Sequence, residues 1–423
     1  MKLHWKIILS MIIGVMVGFF YYNLNNQYLC SSDTMSSGYA NIYEVIILLG
    51  DIFVRLLKMI IAPLILTSII IGISSIKNQA KVGRLGLKTF LYYISTSLIA
   101  ILIGLVLANT IEPGLGASKI SDVEAYDTSN LDSSSSILDI LKRMIPENPI
   151  SAFANNDMLS IIFFAVFFGV VLNLVSQKYS DSIRKGVDSI YNIILKMTQI
   201  IISFAPIGVF GLMVKAVSKS GFSIFQDLGL YAGTIASGLS IHLFIVLPLI
   251  LIIFVRVNPL KHFRAIAPAM VTAFSTSSSS ATLPVTMNCV RDNVKVSNQT
   301  TSFVLPMGAT INMDGTALYE CVGVLFIAQA LGIPLDAGQQ FIVVITALLA
   351  SIGAAGIPSA GLVMLFIVTD AVGLQSDAVA VWVGSMLAID RPLDMFRTMV
   401  NISSDSVGAS VIAKSEGESL YSD

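Results

Sequence analysis

The sequence predicts an all-α polytopic membrane protein. Apolar residues make up 55% of the 423-residue chain and charged residues only 12%, and the mean hydropathy is +0.82. A soluble domain carries about 25% charged residues, so this composition is typical of a chain that lies largely in lipid. Many apolar runs reach about 17 residues or more, enough to cross a hydrocarbon core as helices. Strands of a membrane barrel would alternate in short segments instead.

The first apolar run, residues 5–22, is predicted to be a retained transmembrane helix. A signal peptide is the alternative, but no A-x-A-like cleavage site follows, whereas many further spans do. Lys and Arg concentrate in alternate connections, which predicts that these connections and both termini are cytoplasmic. The other long apolar runs cover 45–76, 90–108, 159–175, 194–214 and 230–255.

Two apolar segments are predicted to be re-entrant helical hairpins. A serine run splits residues 265–290 and a Gly/Pro/Ser tip splits 341–369, which leaves arms of about ten residues. Such arms span half a membrane, and an irregular tip is tolerated when it is buried in protein. A flexible serine linker is the alternative for the first segment. Each hairpin precedes an apolar helix predicted to be broken by polar residues, and this internal repeat is typical of secondary transporters.

Residues 390–405, DRPLDMFRTMVNISSD, form a polar stripe near the end of this apolar chain. With about 100° per residue, six polar side chains fall within a sector of about 100° on one helix face. Ionised groups at membrane depth cost at least about 2.5 kcal/mol each and need partners, which favours a functional site over a solvated face. Arg391 falls at the edge of the stripe. The six residues are Asp390, Asp394, Arg397, Thr398, Asn401 and Asp405.

The NMDG segment at 312–315 adds two further carboxyl groups, those of Asp314 and Glu320. If all were ionised, five carboxylates would face the single guanidinium of Arg397, a balance of −4 to which Arg391 could contribute +1. Bound cations, protonation or a cationic ligand group must supply the difference. Carboxylate, amide and carbonyl oxygens suit a hard cation such as Na⁺. The residues therefore predict a cation-coupled carrier.

Six sequence motifs are distributed along the chain. They are GDIFVRLLKMIIAPL at 50–64, YYISTS at 92–97, STSSSSATLP at 275–284, GATINMDGTALYE at 308–320, SIGAAGIPSAGLV at 351–363 and DRPLDMFRTMVNISSDSVGA at 390–409. These motifs closely resemble those of the glutamate transporter family, the dicarboxylate/amino acid:cation symporters. The resemblance extends over nearly the whole chain. It implies a homotrimer in the lipid bilayer, with eight transmembrane helices and two re-entrant hairpins per protomer, inverted repeats and an elevator-type movement.

The resemblance also divides the single protomer, residues 1–423, into a scaffold and a mobile transport domain. The second hairpin is implied to be the outer gate over the substrate. The expected bounds are about 1–76 and 150–218 for the scaffold, about 86–112 and 226–414 for the transport domain, about 264–290 for hairpin 1, about 340–370 for hairpin 2, and 415–423 for a cytoplasmic tail.

The resemblance implies one substrate site and three sodium sites. The substrate residues are Ser278, Ser279 and Ser280 beside the α-carboxylate, Thr316, Ile357 and Gly361 around the substrate, Asp394 for the ammonium, Arg397 for the side-chain carboxylate, and Thr398 and Asn401 for the rest. The sodium residues are Gly308, Asn312, Asn401 and Asp405 for one site, Thr310, Ser351, Ile352 and Ala354 for a second, and Tyr93, Thr96, Ser97, Asn312 and Asp314 for a third.

Glu320 is predicted to be a proton carrier. It follows the NMDG break by about one helical turn, in an apolar run with no basic residue nearby in sequence, so its charged form is disfavoured. A glutamate that reaches water is the alternative. The resemblance points the same way, because animal members carry Glu at this position as a proton carrier, whereas archaeal aspartate carriers have Gln.

The expected function is secondary active symport of glutamate or aspartate driven by Na⁺ and H⁺. No organic cofactor and no nucleic-acid partner are expected. Family members usually carry an Arg at one of two positions that are Ser277 and Met395 here. The chain lacks the long extracellular insertion of animal members, which favours a prokaryotic inner membrane.

Four other functions were weighed against the residues. A C4-dicarboxylate symporter of the same family would have no use for Asp394, and a neutral amino acid carrier would have none for Arg397. An ion channel would not need a constellation for one substrate. An enzyme such as an intramembrane hydrolase would need a nucleophile motif, and no GxSxG is present.

Overall fold

Every regular element of the described chain is a helix, as the composition predicts. The structure is a computed structural model that describes residues 3–31, 37–74, 80–117, 145–155, 157–221, 223–353, 360–374 and 377–421. The helices of its first half are α1 Leu3–Ser31, α2 Ser37–Ser74, α3 Ala80–Ile111, α4 Pro149–Ala154, α5 Met158–Leu174, α6 Gln177–Ser203 and α7 Ala205–Ser220.

The second half contains the segments that carry the sequence motifs. Its first helix continues through two π-helical turns, His242–Val246 and Leu251–Val255. The helices are α8 Ser223–Ile241, α9 Leu247–Ile250, α10 Pro259–Thr276, α11 Ser279–Asn288 with a π-helical turn Cys289–Asn293, α12 Asn298–Ile311, α13 Asp314–Ala330, α14 Ala337–Gly353, α15 Ala360–Ala371 and α16 Asp377–Ser415.

Three helical stretches within the described ranges are long and apolar enough to cross a membrane. They are Arg84–Ile111, Phe225–Val255 and Asn298–Ala330. The pair Gln177–Ile201 and Ala205–Ser218, bent by 55°, would make a fourth if it counts as one span. The eight spans that the resemblance implies stay a prediction.

The helices pack in two groups. In one, α1 packs along α7, and α2 packs against α5, α6 and α7; in the other, α16 packs against α10, α12 and α13, with α3 and α8 beside α13. A Cβ atom built on Gly211 of α7 would lie 2.5 Å from the carbonyl oxygen of Ile46 in α2. Contact this close requires glycine and is typical of helix packing in membranes. The domain bounds that the resemblance implies stay a prediction.

Both predicted hairpin segments form two helical arms that pack against each other, α10 with α11 and α14 with α15. The first arms are longer than the predicted ten residues, with 18 in α10 and 17 in α14. They extend because caps lie upstream of the apolar runs. The Asn258 side chain caps α10, whereas Asp336 and Gln339 form a reciprocal pair at the start of α14, with N···O distances of 3.0 and 2.8 Å.

The NMDG segment breaks its helix, but the predicted second break does not occur. Helix α12 ends at Ile311 and α13 begins at Asp314, so Asn312 and Met313 lie between them in non-helical backbone. In contrast, α16 runs without interruption for 39 residues, although Pro392 removes one backbone donor from its interior. The prediction of a broken last helix is therefore wrong, because the polar stripe does not interrupt α16.

The segment after α16 folds back onto the start of α12. The Glu418 carboxylate accepts hydrogen bonds from the Ser297 backbone nitrogen at 2.8 Å and the Ser297 hydroxyl at 2.7 Å. It also accepts from the Thr300 hydroxyl at 2.5 Å. The first turn of a helix has backbone N–H groups without intrahelical partners, and a carboxylate there is stabilising. Glu418 therefore acts as a cap supplied from the far end of the chain.

Glu416 ties the same segment to α3. Its carboxylate contacts Lys88 Nζ and Arg84 Nη2, each at 2.6 Å. Hydrogen bonds from Lys88 and from Arg84 hold the pKa of this carboxyl below its ordinary value. Because a lowered pKa means that the folded state favours the carboxylate, this contribution to stability is present at neutral pH. It is lost as the pH falls through the pKa of the folded state.

Replacing Glu418 with Ala should lower the free energy of unfolding by about 1 kcal/mol, the usual effect of losing a helix cap. Thermal unfolding of the purified protein in detergent, with Glu147→Ala as the control, measures this effect. Glu147 is exposed, so its replacement should leave the midpoint unchanged. Equal midpoints for the two variants would contradict the capping role.

Candidate functional site

The polar stripe of α16 faces the protein interior. All six of its predicted residues are buried, with exposed fractions between 1% for Arg397 and 6% for Asp394. This burial excludes a solvated helix face. A guanidinium and three carboxyl groups therefore lie together in surroundings where each needs a compensating partner.

Arg397 is held by two carboxylates and an aromatic ring. Its Nη2 atom donates to Asp390 Oδ1 and to Asp394 Oδ1, both at 2.9 Å. Its Cζ atom lies 3.8 Å from the centroid of the Tyr319 ring on α13, a cation–π geometry. These contacts fix the direction of the guanidinium from one side.

The other side of the same guanidinium carries hydrogen-bond donors that stay unpaired within the described residues. Within the described part of the chain, Arg397 Nε and Nη1 are buried without a hydrogen-bond partner. A Cβ atom built on Gly361, at the start of α15, would lie 2.8 Å from Nη1 and 3.4 Å from Thr316 Cγ2. The structure thus brings together three of the predicted substrate residues, Arg397, Thr316 and Gly361. Ile357, in the hairpin tip, lies outside the described residues.

Asp405 lies in the first predicted sodium cluster. Asn312 Nδ2 donates to Asp405 Oδ1 at 2.8 Å, and the Asn401 side-chain oxygen accepts from the Gly315 backbone nitrogen at 2.8 Å. A Cβ atom on Gly308 would lie 2.4 Å from Asp405 Oδ1, so only glycine fits at this position. Asp405 forms no ion pair with any residue that the structure describes. Among the described residues, the hydrogen bond from Asn312 is the contact that compensates this buried carboxyl group.

Asp314 anchors the third predicted cluster, which lies between α3 and the NMDG break. Ser97 Oγ donates to Asp314 Oδ1 at 2.6 Å, and Thr96 Oγ1 donates to Asn312 Oδ1 at 3.3 Å. Tyr93, the remaining member, donates its hydroxyl to the Val304 carbonyl oxygen at 2.9 Å. The ligand set predicted from two distant segments therefore meets in space. Asn312 belongs to both this cluster and that of Asp405.

Asp314 has a buried neighbour outside the predicted cluster. His242 Nε2 lies 3.0 Å from Asp314 Oδ2, and both side chains are fully buried. His242 opens the π-helical turn His242–Val246. It is separated from Asp314 by 72 positions, and no motif marked it. Its place on the apolar face of a predicted span was the only signal available.

The second predicted cluster borders a cavity of about 260 Å³ between the two packed groups of helices. Thr310 of α12 and Ile352 of α14 line it, together with Ser68 and Gly72 of α2. Ser351 is fully buried beside this region and donates to its own helix at Leu348. Ala354 lies outside the described residues.

The serine tip of hairpin 1 forms the start of α11. Ser277 adopts a left-handed conformation with φ of 51°, which turns the chain between the two arms. Ser278 caps α11, because its hydroxyl accepts from the Ala281 backbone nitrogen at 3.2 Å. Ser278 and Ser279 are buried, whereas Ser280 is exposed. The first turn of α11 therefore offers backbone donors of the kind that bind carboxylates.

Glu320 lies one turn after Thr316 on α13 and is fully buried. Neither of its carboxyl oxygens has a hydrogen-bond partner among the described residues. The alternative of a side chain that reaches water does not fit this burial. Burial of a carboxylate without a hydrogen-bond partner is energetically costly.

Comparison with known proteins agrees with this arrangement. The model of the sodium:dicarboxylate symporter family matches residues 3–415. The chain is 37% identical over 415 residues to excitatory amino acid transporter 3 of Mus musculus, and this alignment covers 86% of this chain and 78% of that protein. It is 36% identical to excitatory amino acid transporter 2 of Homo sapiens, over 88% and 74% of the two chains.

A third relative is excitatory amino acid transporter 1 of Ambystoma tigrinum, 34% identical over 86% of this chain and 76% of that protein. The family model covers residues 3–415, which include every segment that forms the buried polar site, and each relative covers most of the chain. This chain therefore belongs to the sodium:dicarboxylate symporter family, whose members are multi-pass membrane transporters.

Proposed function

We propose that this chain is a secondary active symporter that carries glutamate or aspartate across the cell membrane together with Na⁺ and H⁺. The observation that carries the substrate assignment is the buried guanidinium of Arg397. Two of its nitrogen atoms have no partner in the described residues, and buried donors left in that state are unfavourable. A carboxylate of the substrate would satisfy them.

The ammonium of the substrate is assigned to Asp394. This residue lies one helical turn from Arg397 and shares a hydrogen bond with it. A carboxylate and a guanidinium side by side suit a ligand that carries both an ammonium and an acidic side chain. The α-carboxylate is assigned to the first turn of α11, at Ser278, Ser279 and Ser280. The packing of α11 against α16 supports this assignment.

Na⁺ is assigned to the clusters around Asp405, Asp314 and Thr310. Their oxygen donors suit a hard cation. The Asp405 carboxyl group is buried and, among the described residues, forms no ion pair, so a bound cation would remove an unfavourable burial of charge. Thr398 and Asn401 complete the substrate face, and Asn401 also belongs to the Asp405 cluster.

The remaining features of the proposed transporter are those that its family implies. The protein is proposed to be a homotrimer with eight spans, two re-entrant hairpins and both termini in the cytoplasm. The group of helices around α16 would move as the transport domain against the group around α2 and α7, with α14 and α15 as the gate. The close approach of Gly361 to the Arg397 guanidinium supports this last point.

Uptake of radiolabelled aspartate and glutamate into proteoliposomes tests the function. Accumulation should require an inward Na⁺ gradient, and unlabelled aspartate should compete. Succinate serves as the second arm, because a C4-dicarboxylate symporter of this family would accumulate it and ignore aspartate. Uptake of neither compound would reject both functions.

The Arg397→Cys variant should lose acidic substrates and accept small neutral amino acids. Loss of one partner of a buried charge pair costs about 2–5 kcal/mol, so aspartate affinity should fall by roughly thirtyfold or more. Binding in the presence of Na⁺ measures this. Lys414→Cys, at an exposed position, is the matched control. Near-normal aspartate affinity in Arg397→Cys would contradict the assignment.

The Gly308→Ala variant should lose the stabilisation that Na⁺ confers. The added methyl group overlaps Asp405 Oδ1 and the Tyr93 hydroxyl, and overpacking of this kind costs about 1–3 kcal/mol. Thermal unfolding across a Na⁺ titration measures the loss. Gly229→Ala has open space around its Cβ atom and should respond to Na⁺ like the wild type. Asp405→Asn keeps the shape of the site, so a normal Na⁺ response in that variant would exclude a sodium ligand there.

Proton coupling is assigned to Glu320, which loads H⁺ on one side of the membrane and releases it on the other. Glu320→Gln keeps the shape of the protonated carboxyl group. This variant should retain aspartate exchange but show no dependence on pH in the range where the wild type responds. A pH-sensitive dye inside the liposomes measures the flux. Wild-type uptake without proton movement would leave Na⁺ as the only coupled ion.

A further inference from the structure

Asp394 has a second basic neighbour. Arg391 precedes it by one turn on α16, and Arg391 Nη1 lies 3.7 Å from Asp394 Oδ2. The other oxygen of the same carboxylate, Oδ1, accepts from Arg397 Nη2 at 2.9 Å. Each oxygen of Asp394 thus faces a different guanidinium.

The two guanidinium groups are held very differently. The Arg397 side chain is 1% exposed and is fixed by Asp390, Asp394 and the Tyr319 ring. The Arg391 side chain is 22% exposed, and Asp394 is its one ion-pair partner among the residues that the structure describes. The contact of 3.7 Å is also longer than a hydrogen bond. Arg391 can therefore leave Asp394 by a change of rotamer, whereas Arg397 cannot.

Charge explains why a second arginine is needed. Asp390 and Asp394 carry two negative charges against the single positive charge of Arg397, and all three groups are buried. With Arg391 the four charges sum to zero. Without it, one negative charge at membrane depth remains uncompensated until a cationic group arrives.

We propose that Arg391 is the positioning residue of the ammonium subsite. It neutralises Asp394 while no ammonium is present and gives way when the substrate ammonium binds. The proposal rests on the proposed function, because it takes Asp394 as the ammonium partner. It implies that Arg391 determines how strongly the site prefers ligands that carry an ammonium group.

Aspartate and succinate isolate this effect. Both carry two carboxylates, but only aspartate carries an ammonium. Loss of the positive charge of Arg391 acts on the carboxylates of both ligands alike, so this effect cancels in the ratio of their dissociation constants. What remains is the effect on Asp394, because succinate has no ammonium group that could compensate the charge of this carboxylate. The Kd of succinate relative to that of aspartate should therefore rise in Arg391→Gln by about 1.4- to fivefold, the range for an exposed ion pair.

The experiment uses the purified full-length protein in detergent with saturating Na⁺. Aspartate binding is measured by titration calorimetry, and succinate is measured by its displacement of bound aspartate. Arg391→Lys keeps the charge and should restore the wild-type ratio. Arg264→Gln removes an exposed charge on α10 and should leave the ratio unchanged.

Two results would overturn the proposal. They are an unchanged ratio in Arg391→Gln and a Lys variant that behaves like the Gln variant. A wild type that binds no aspartate in Na⁺ is a different outcome, because it rejects the proposed function itself.

Discussion

The buried contact of Arg397 with Asp390 and Asp394 is the constraint on which the rest of the site depends. An ion removed from water in a protein interior loses several kcal/mol of solvation, so its position is tolerated only where partners are fixed in place. Two carboxylates on the same helix and the Tyr319 ring on α13 supply these partners. As a result the rotation of α16 and its distance from α13 are set together. The Nη1 atom of the guanidinium lies next to Gly361, at the start of α15.

Two asparagines connect the two proposed cation clusters around Asp314 and Asp405 with each other and with the proposed substrate residues. Asn312 bonds to Asp405 through one side-chain atom and accepts from Thr96 through the other. Asn401 accepts from the Gly315 backbone, and its amide nitrogen lies 3.4 Å from Thr316 Oγ1. The helix break after Ile311 makes this possible, because it frees backbone groups where the clusters meet. A displacement of the residues in one cluster would therefore be transmitted to the next cluster through a single side chain.

The sequence predicts those parts of the molecule in which the cause is local. Periodicity and composition predict helices, and six polar residues at helical spacing predict one buried face, because both follow from the geometry of a single helix. The caps Asn258 and Asp336 are local too, but the apolar runs alone place the starts of α10 and α14 too late, because these caps lie upstream of the runs. The polar stripe of α16 predicts a break that does not occur, because the stripe follows one face of a continuous helix.

Contacts between distant segments could not be predicted in this way. His242 meets Asp314, and Tyr319 covers Arg397, only because α8, α13 and α16 pack together. Neither contact corresponds to a regular spacing of residues along the sequence, so no sequence pattern reveals it. The resemblance to the family named sodium ligands but not this histidine. Glu418 is a similar case, since a residue in the tail caps a helix that begins 120 positions earlier.

The balance of charge explains why ions and substrate should move together. Asp390, Asp394, Arg391 and Arg397 sum to zero, so the substrate face is neutral before loading. An acidic amino acid adds one negative charge, and Asp314 and Asp405 add two more in the cation clusters. One Na⁺ in each of the three proposed clusters would offset these three charges. A substrate that bound without these cations would carry uncompensated negative charge through the apolar interior, where each unit costs at least about 2.5 kcal/mol. The charge balance alone therefore favours joint movement of the substrate and the proposed cations.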